Sequence, residues 1–474
     1  MTKHLKMYRA GDWLDSNDQI TVTSPYDDAV AGTAAAASSA DYLVAIEKAH
    51  AAFAATRELT AYEREAACLK IAALLEARHE EFAHTMTLEL GKAIKDSRAE
   101  VSRAVGVFRT SAEEAKRVGG ELIDLDWQRG SEGRLGLLRR FPRGVIGAIT
   151  PFNFPLNLVA HKIGPALASG NCIVLKPATK TPLSALLLAE LVDQTDYPRG
   201  AVSILPGSAQ NASPLLQDPR VKLITFTGSA EIGWWIKANA SHKPVILELG
   251  GNAGVIVADD ADLAFAADRI TFGAFAQAGQ SCISVQRIYL HESIYDRFSA
   301  MLVERARKLK VGDPLDPSTD IGALVDSAAA ERTMSWIEEA IRGGATLMCG
   351  GRAKGRLMEP ALLANVTPEM SVCSKEVFAP VAVISRYRDF KAAVEEINNS
   401  EFGLQAGLFT NRMNDIMHAF KRIETGGVII NDVPTYRADH MPYGGVKSSG
   451  LGREGVRYAL EDMTEPKLLA LNMR

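Results

Sequence analysis

Five short apolar runs occupy the middle of the chain: Gly144–Thr150, Cys172–Lys176, Ala201–Leu205, Leu223–Thr227 and Gly254–Val257. Helical patterning such as Ser184–Gln194 separates several of them. A strand that is apolar at nearly every position is buried on both faces, and helices between such strands supply the cover. The pattern predicts an α/β fold around a parallel sheet, an architecture of the nucleotide-binding type. A second alternating region begins near Ala261, passes through Val285–Leu290 and Val381–Ile384, and ends around Val428–Asn431. It predicts a second α/β unit packed against the first, with a cleft between them as the natural site. Ahead of both, apolar residues at three- and four-residue steps over Asp41–Thr56 and Ala61–His84 predict amphipathic helices and a largely helical N-terminal third.

Composition narrows the chemistry. Over 474 residues, 53 Lys and Arg stand against 57 Asp and Glu, a net charge of −4. That balance gives no electrostatic footprint for nucleic acid or an anionic membrane, so a small-molecule partner is expected. The five cysteines are odd in number and widely spaced, with no metal-type pairing, which points to a reducing cytoplasm and to no metal. The N-terminus does not lead into an apolar signal core. The longest uncharged stretch, Gly144–Ala160, has 17 residues and contains Pro151, Asn153, Pro155 and Asn157, so no membrane span is expected.

Four segments could carry chemistry. The formal Gly-x-Gly-x-x-Gly at Gly450–Gly455 is a decoy, because only 19 residues follow it and no βαβ unit fits there. Phe226–Gly233 is a better candidate: a buried strand runs into small residues and then a helical segment, either an ordinary strand-to-helix turn or one whose N–H groups could hold a pyrophosphate. Cys282 lies among small and polar residues in Gly279-Gln-Ser-Cys, whereas Cys68 and Cys172 sit in apolar contexts and read as structural. Glu248 interrupts the apolar run Leu247-Glu-Leu-Gly-Gly251, either paired and structural or desolvated for general-base work. Asn153, bracketed by Pro151 and Pro155, is a turn or capping residue, or a fixed donor to an oxyanion.

Together these segments resemble the aldehyde dehydrogenase superfamily, from about residue 20 to the C-terminus. The resemblance is carried by Pro151-Phe-Asn-Phe-Pro, Lys176-Pro-Ala, Phe226-Thr-Gly-Ser, Glu248-Leu-Gly-Gly, Gly279-Gln-Ser-Cys, Lys375-Glu-Val-Phe-Ala-Pro and Pro442-Tyr-Gly-Gly-Val-Lys-Ser-Ser-Gly. It implies a Rossmann-like cofactor domain (1–118 and 141–249), an α/β catalytic domain (250–454) and an oligomerisation element (119–140 and 455–474), hence a homodimer or homotetramer. Cys282 is then the nucleophile that forms a thiohemiacetal and a thioester. Asn153 and the backbone N–H of Cys282 hold the oxyanion, and Glu248 activates the hydrolytic water.

For NADP or NAD, the resemblance implies Lys176 at the adenosine ribose, Gly228 and Ser229 at the pyrophosphate and Ile232 against the adenine. Glu376 would take the nicotinamide ribose, with Phe378 beside the ring. Relatives that prefer NAD often carry a Glu three positions after this lysine; here stand Thr179 and then Lys180, so NADP is expected to be accepted. Arg103, with Arg437 and His161, is expected to hold a polar or anionic substrate end, as in a branch that handles small hydroxylated or anionic aldehydes. Two rivals remain at this point: a CoA-acylating semialdehyde dehydrogenase, against which Glu248 counts, and a non-catalytic protein of the same fold.

Overall fold

The computed structural model describes residues 3–473. Its first large sheet has eight strands, in the spatial order Gly450–Leu451, Val245–Glu248, Val221–Thr227, Val145–Ile149, Cys172–Lys176, Val202–Ile204, Met7–Arg9 and Asp12–Leu14. The five central strands are parallel and mostly apolar, and antiparallel strands close both edges. The second sheet has seven strands, from Thr346–Cys349 at one edge through Ala361–Ala364, Val381–Tyr387, Val285–His291, Ala253–Val257 and Gln405–Phe409 to Gly427–Ile430. All but its first pairing are parallel. Each sheet has its own buried apolar core beneath flanking helices. Among the described residues no helix is long and apolar enough to cross a membrane.

Three sequence readings need correction. The run at Gly254–Val257, grouped with the first series, pairs with Val285–His291 in the second sheet. A doubly buried strand reads the same whichever sheet it joins, and the Gly250–Gly251 pair just before it is where the chain crosses over. The N-terminal third is helical only from Ser39. Before it, five strands of three to six residues run between Lys3 and Ala35, too short and too polar to show a period of two. The helices begin where the sequence caps them: Ser38 with Asp41, and Thr60 with Glu63, form reciprocal capping boxes ahead of Ser39–Thr56 and Ala61–Ala77. The predicted 61–84 helix breaks at Arg78 into Ala61–Ala77 and His79–Leu90.

A third, antiparallel sheet stands apart from both cores, with Thr464–Asn472, Arg134–Pro142 and Gly120–Asp124 side by side. Leu122, Leu137 and Leu469 fall opposite one another across its three strands, and they are 68%, 40% and 55% exposed.

Candidate active site

The strand Val145–Ile149 lies between Cys172–Lys176 on one side and Val221–Thr227 on the other, so the chain winds outward from it in both directions. Such a switch point opens a crevice beyond the carboxyl ends of the strands. Thr150–Asn153 leave one of those ends, Gly228 and Ser229 leave the next, and Glu248 is the last residue of the strand after that. Pro151–Asn153, Gly228, Ser229 and Glu248 border a cavity of about 520 Å³, whose opposite wall is Cys282, Glu376 and Phe378 from the second unit.

The chain delivers Cys282 through an unusual turn. The helix Leu263–Phe275 ends, and Gln277, Ala278 and Gly279 all take left-handed φ values of 54°, 54° and 67°. Two non-glycine residues in that region are costly and persist only when their surroundings hold them. The Gln277 side chain donates to the Asn153 carbonyl and its N–H donates to Asp96. A Cβ at Gly279 would lie 2.2 Å from the Ala379 carbonyl oxygen, so only glycine fits there. The same contacts tie Asn153 to the Cys282 loop, since its amide donates to the Gln280 carbonyl at 3.1 Å.

Cys282 Sγ lies 3.2 Å from the Tyr443 hydroxyl, and the Arg437 guanidinium stacks 3.7 Å from the centre of the Tyr443 ring. Burial pushes the thiol up to about 12, while the Tyr443 hydrogen bond and the Arg437 charge work in the other direction. Glu248 is buried and makes no side-chain hydrogen bond among the described residues. Burial, then the charge of Glu454, hold its carboxyl well above the usual range, which makes it a stronger base than an exposed carboxylate. Gly444 makes this approach possible: a Cβ there would lie 2.7 Å from Glu248 Oε1, and its φ of +156° suits glycine.

Glu454 is the counterweight. Burial alone would raise it, but Lys162 at 2.5 Å and Arg437 at 3.0 Å hold it ionised, down to about 2. On the same side, Arg103 donates to both oxygens of Asp439 at 3.1 and 2.6 Å, and His161 Nε2 meets Asp439 at 2.9 Å. Burial, then the Arg437 charge, push His161 below its ordinary value. Arg103 and Arg437 line the cavity, while His161 lies behind its wall.

A cysteine, a desolvated carboxylate and an amide donor around one cleft form the constellation of a thiol-dependent acyl chemistry. The aldehyde dehydrogenase family profile matches residues 13–469. The chain belongs to the aldehyde dehydrogenase family. It is 44% identical over 472 residues to the 3-sulfolactaldehyde dehydrogenase of Priestia aryabhattai, covering 99% of this chain and 98% of that one. Among solved structures, it is similar to aldehyde dehydrogenase 21 from Physcomitrella patens in complex with the reaction product succinate. That match has a TM-score of 0.98 and 44% identity, over 100% and 99% of the two chains. The NADP-dependent glyceraldehyde-3-phosphate dehydrogenase of Bacillus halodurans, complexed with NADP, aligns with a TM-score of 0.96 at 36% identity over 99% and 100%.

The residues of this aldehyde dehydrogenase chain fit a dinucleotide. Gly228 and Ser229 precede the helix Ala230–Asn239, whose first turn carries no side-chain cap and so keeps N–H groups for a pyrophosphate. A Cβ at Gly250 would lie 2.5 Å from Glu376 Oε2, so the glycine leaves that carboxylate room beside the cavity. Glu376 accepts from the Gly251 N–H at 2.9 Å, and burial raises it to about 7. Phe378 meets Phe152 edge to face, 6.0 Å between ring centres. Lys176, Thr179 and Ile232 lie outside the cavity lining. Burial lowers Lys176 to about 8, and its ammonium meets only the Pro177 carbonyl among the described residues. Thr179 donates to the Gly207 carbonyl at 3.1 Å, Lys180 pairs with Asp326, and Ile232 is 47% exposed.

Sequence reasoning singled out Cys282, Glu248 and Asn153 but missed Tyr443, Glu454, Asp439 and Lys162, which the structure brings into contact with this site. Tyr443 stood inside a motif already in view and Asp439 lay two residues from Arg437, but nothing local signals a contact with Cys282 or Arg103.

Proposed function

We propose that this enzyme oxidises a small aldehyde with an anionic or strongly polar terminus to its carboxylate, using NADP or NAD, and that it works in the cytoplasm as a homodimer or homotetramer. The observation that carries the reading is one cavity bordered by Cys282, Glu248 and Asn153 with the guanidiniums of Arg103 and Arg437 on the same wall. Cys282 attacks the aldehyde carbon as its thiol proton passes to solvent water, and the resulting oxyanion takes the second Asn153 N–H and the Cys282 N–H as donors. Bound nicotinamide cofactor supplies the hydride acceptor for the oxidation. Glu248 then takes a proton from the water that attacks the thioester carbon, the C–S bond breaks, and the thiol is restored. A buried carboxylate placed for water activation favours hydrolysis over transfer to CoA.

Gly228, Ser229, Glu376 and Phe378 border the cavity and would hold the pyrophosphate and nicotinamide riboside portions. Lys176, Thr179 and Ile232 would serve the adenosine end. A neutral Thr179 in place of a carboxylate removes repulsion toward a 2′-phosphate, and the relative from Bacillus halodurans is complexed with NADP. The substrate class follows the arginines, in keeping with a relative named for a sulfonated aldehyde. The test is a steady-state screen of short neutral, carboxylated and sulfonated aldehydes with both cofactors. Preference for an anionic terminus, lost selectively in Arg103→Ala, supports the reading; equal loss on neutral and charged aldehydes would show that Arg103 only supports the fold.

A further inference from the structure

One helix reaches three parts of the site. Asp96, Glu100 and Arg103 stand four and then three residues apart on Ile94–Ala115, which puts them on one face, and all three border the cavity. Arg103 is the guanidinium proposed for the substrate end, and Asp96 accepts the Gln277 N–H of the Cys282 loop. Glu100, between them, has neither role. Its side chain is fully buried. One oxygen, Oε1, accepts from the N–H groups of Leu156 and Asn157, each at 2.9 Å. The other, Oε2, meets the ammonium of buried Lys92, the countercharge that a buried carboxylate needs. The helix that starts at these N–H groups, Asn157–Ala168, has no side-chain cap of its own. A helix start takes a carboxylate well, and here the carboxylate comes from a different helix. Asn153 is joined to Leu156 by Phe154 and Pro155 alone, so the connection is short and stiff. Phe154 is pinned too: the Lys92 ammonium lies 4.7 Å and the Arg103 guanidinium 5.9 Å from the centre of its ring. On its other side, Asn153 is tied to Gln277 and Gln280. Asn153 is thus held between the Cys282 loop and Glu100.

We infer that Glu100 is a positioning residue that acts through Asn153: by capping Asn157–Ala168 from Ile94–Ala115, it aims the second N–H of the Asn153 amide at the oxyanion. Asp96, one turn earlier on the same helix, holds the Cys282 loop to the same reference. This rests on the donor role proposed for Asn153. An oxyanion donor contributes about 10²- to 10³-fold to the rate, and a hydrogen bond weakens steeply as it leaves its line. Losing the cap misdirects the donor without removing it, so the cost is about tenfold, less than the loss of the donor itself.

The test removes the ion pair in two variants and the cap in only one. K92M with E100Q keeps an oxygen for the two N–H groups. K92M with E100M fills the same space and caps nothing, and a buried pair replaced by apolar groups of similar size need not unfold a protein. The readout is the single-turnover rate of cofactor reduction, with enzyme in excess over the best aldehyde of the steady-state screen. The E100M form should be about tenfold slower than the E100Q form, with the same cofactor Kd in both. In an N153A background the two should be equal, because residues that act as one unit are not additive. If the E100M form does not fold, E100D takes its place: it keeps the charge beside Lys92 but is one methylene short. Its loss against wild type, and the disappearance of that loss in N153A, are expected in the same way. Equal rates with Asn153 present, or a difference that persists in N153A, would overturn this inference alone. An N153A rate equal to wild type would overturn the donor role of Asn153 and this inference with it.

Discussion

A half-buried thiol beside two carboxylates and a tyrosine ionises reluctantly, so Cys282 depends on whatever can stabilise negative charge on its sulfur. The Tyr443 hydroxyl, 3.2 Å away, can donate to a thiolate, and the Arg437 guanidinium behind the ring adds positive charge. Tyr443→Phe is therefore expected to move the midpoint of Cys282 alkylation upward by about one pH unit, as loss of a charge-assisted hydrogen bond requires. An unchanged alkylation profile would show that the hydroxyl plays no part. Cys282→Ala should abolish turnover while cofactor binding, followed by fluorescence titration, persists. Glu248→Gln should keep acylation and slow hydrolysis, giving a burst of about one reduced cofactor per site before a slow steady state; an undiminished steady state would make Glu248 structural. Cys282, Glu248 and Asn153 stood out as candidates because each is out of character with its neighbours, a cysteine among polar residues, a carboxylate in an apolar run, an amide between prolines, but the roles proposed for them came from the family resemblance. Tyr443 and Asp439 did not stand out, since their partners lie 161 and 336 positions away along the chain.

At the level of elements, the parallel strands were readable because burial on both faces leaves an apolar run, while the strands before Ser39 were hidden by their shortness and exposed faces. Side chains that stitch elements together were also hidden. Glu89, at the end of His79–Leu90, accepts from the Leu183 and Ser184 N–H groups at 2.8 and 3.2 Å and from the Ser184 hydroxyl, capping the helix Leu183–Val192 from another element. Burial nonetheless raises its carboxyl from 4.5 to about 7. The folded state then holds a proton that the unfolded chain has released, so Glu89 costs stability progressively as pH rises from about 4.5 to 7. The cost is on the order of 3 kcal/mol at full extent. Thermal unfolding of wild type and Glu89→Gln across pH 5 to 8 checks this. The wild type should lose more Tm than the variant over that window, and parallel curves would mean that Glu89 does not titrate there.

In the whole molecule, the third sheet buries little of its own surface, and the row Leu122, Leu137 and Leu469 gives it an apolar face that neither core covers. Such a face is where the second subunit of the proposed oligomer would pack. Leu122→Glu, at a position already 68% exposed, should leave the fold intact and lower the mass in light scattering; an unaltered mass would take this row out of the interface. The two-unit plan with a cleft between was legible from the alternation of strand and helix, but the closing of that cleft by the segment from Tyr443 to Glu454 was not, because its strand Gly450–Leu451 is only two residues long. That segment reaches back to Glu248 through Gly450, to Cys282 through Tyr443 and to Lys162 through Glu454. Proteins are made from the N-terminus, and early domains fold while the rest is still being synthesised. A growing chain on the ribosome thus carries Cys282 and Glu248 well before Arg437, Tyr443 and Glu454, the groups that set the charge around them, have been made.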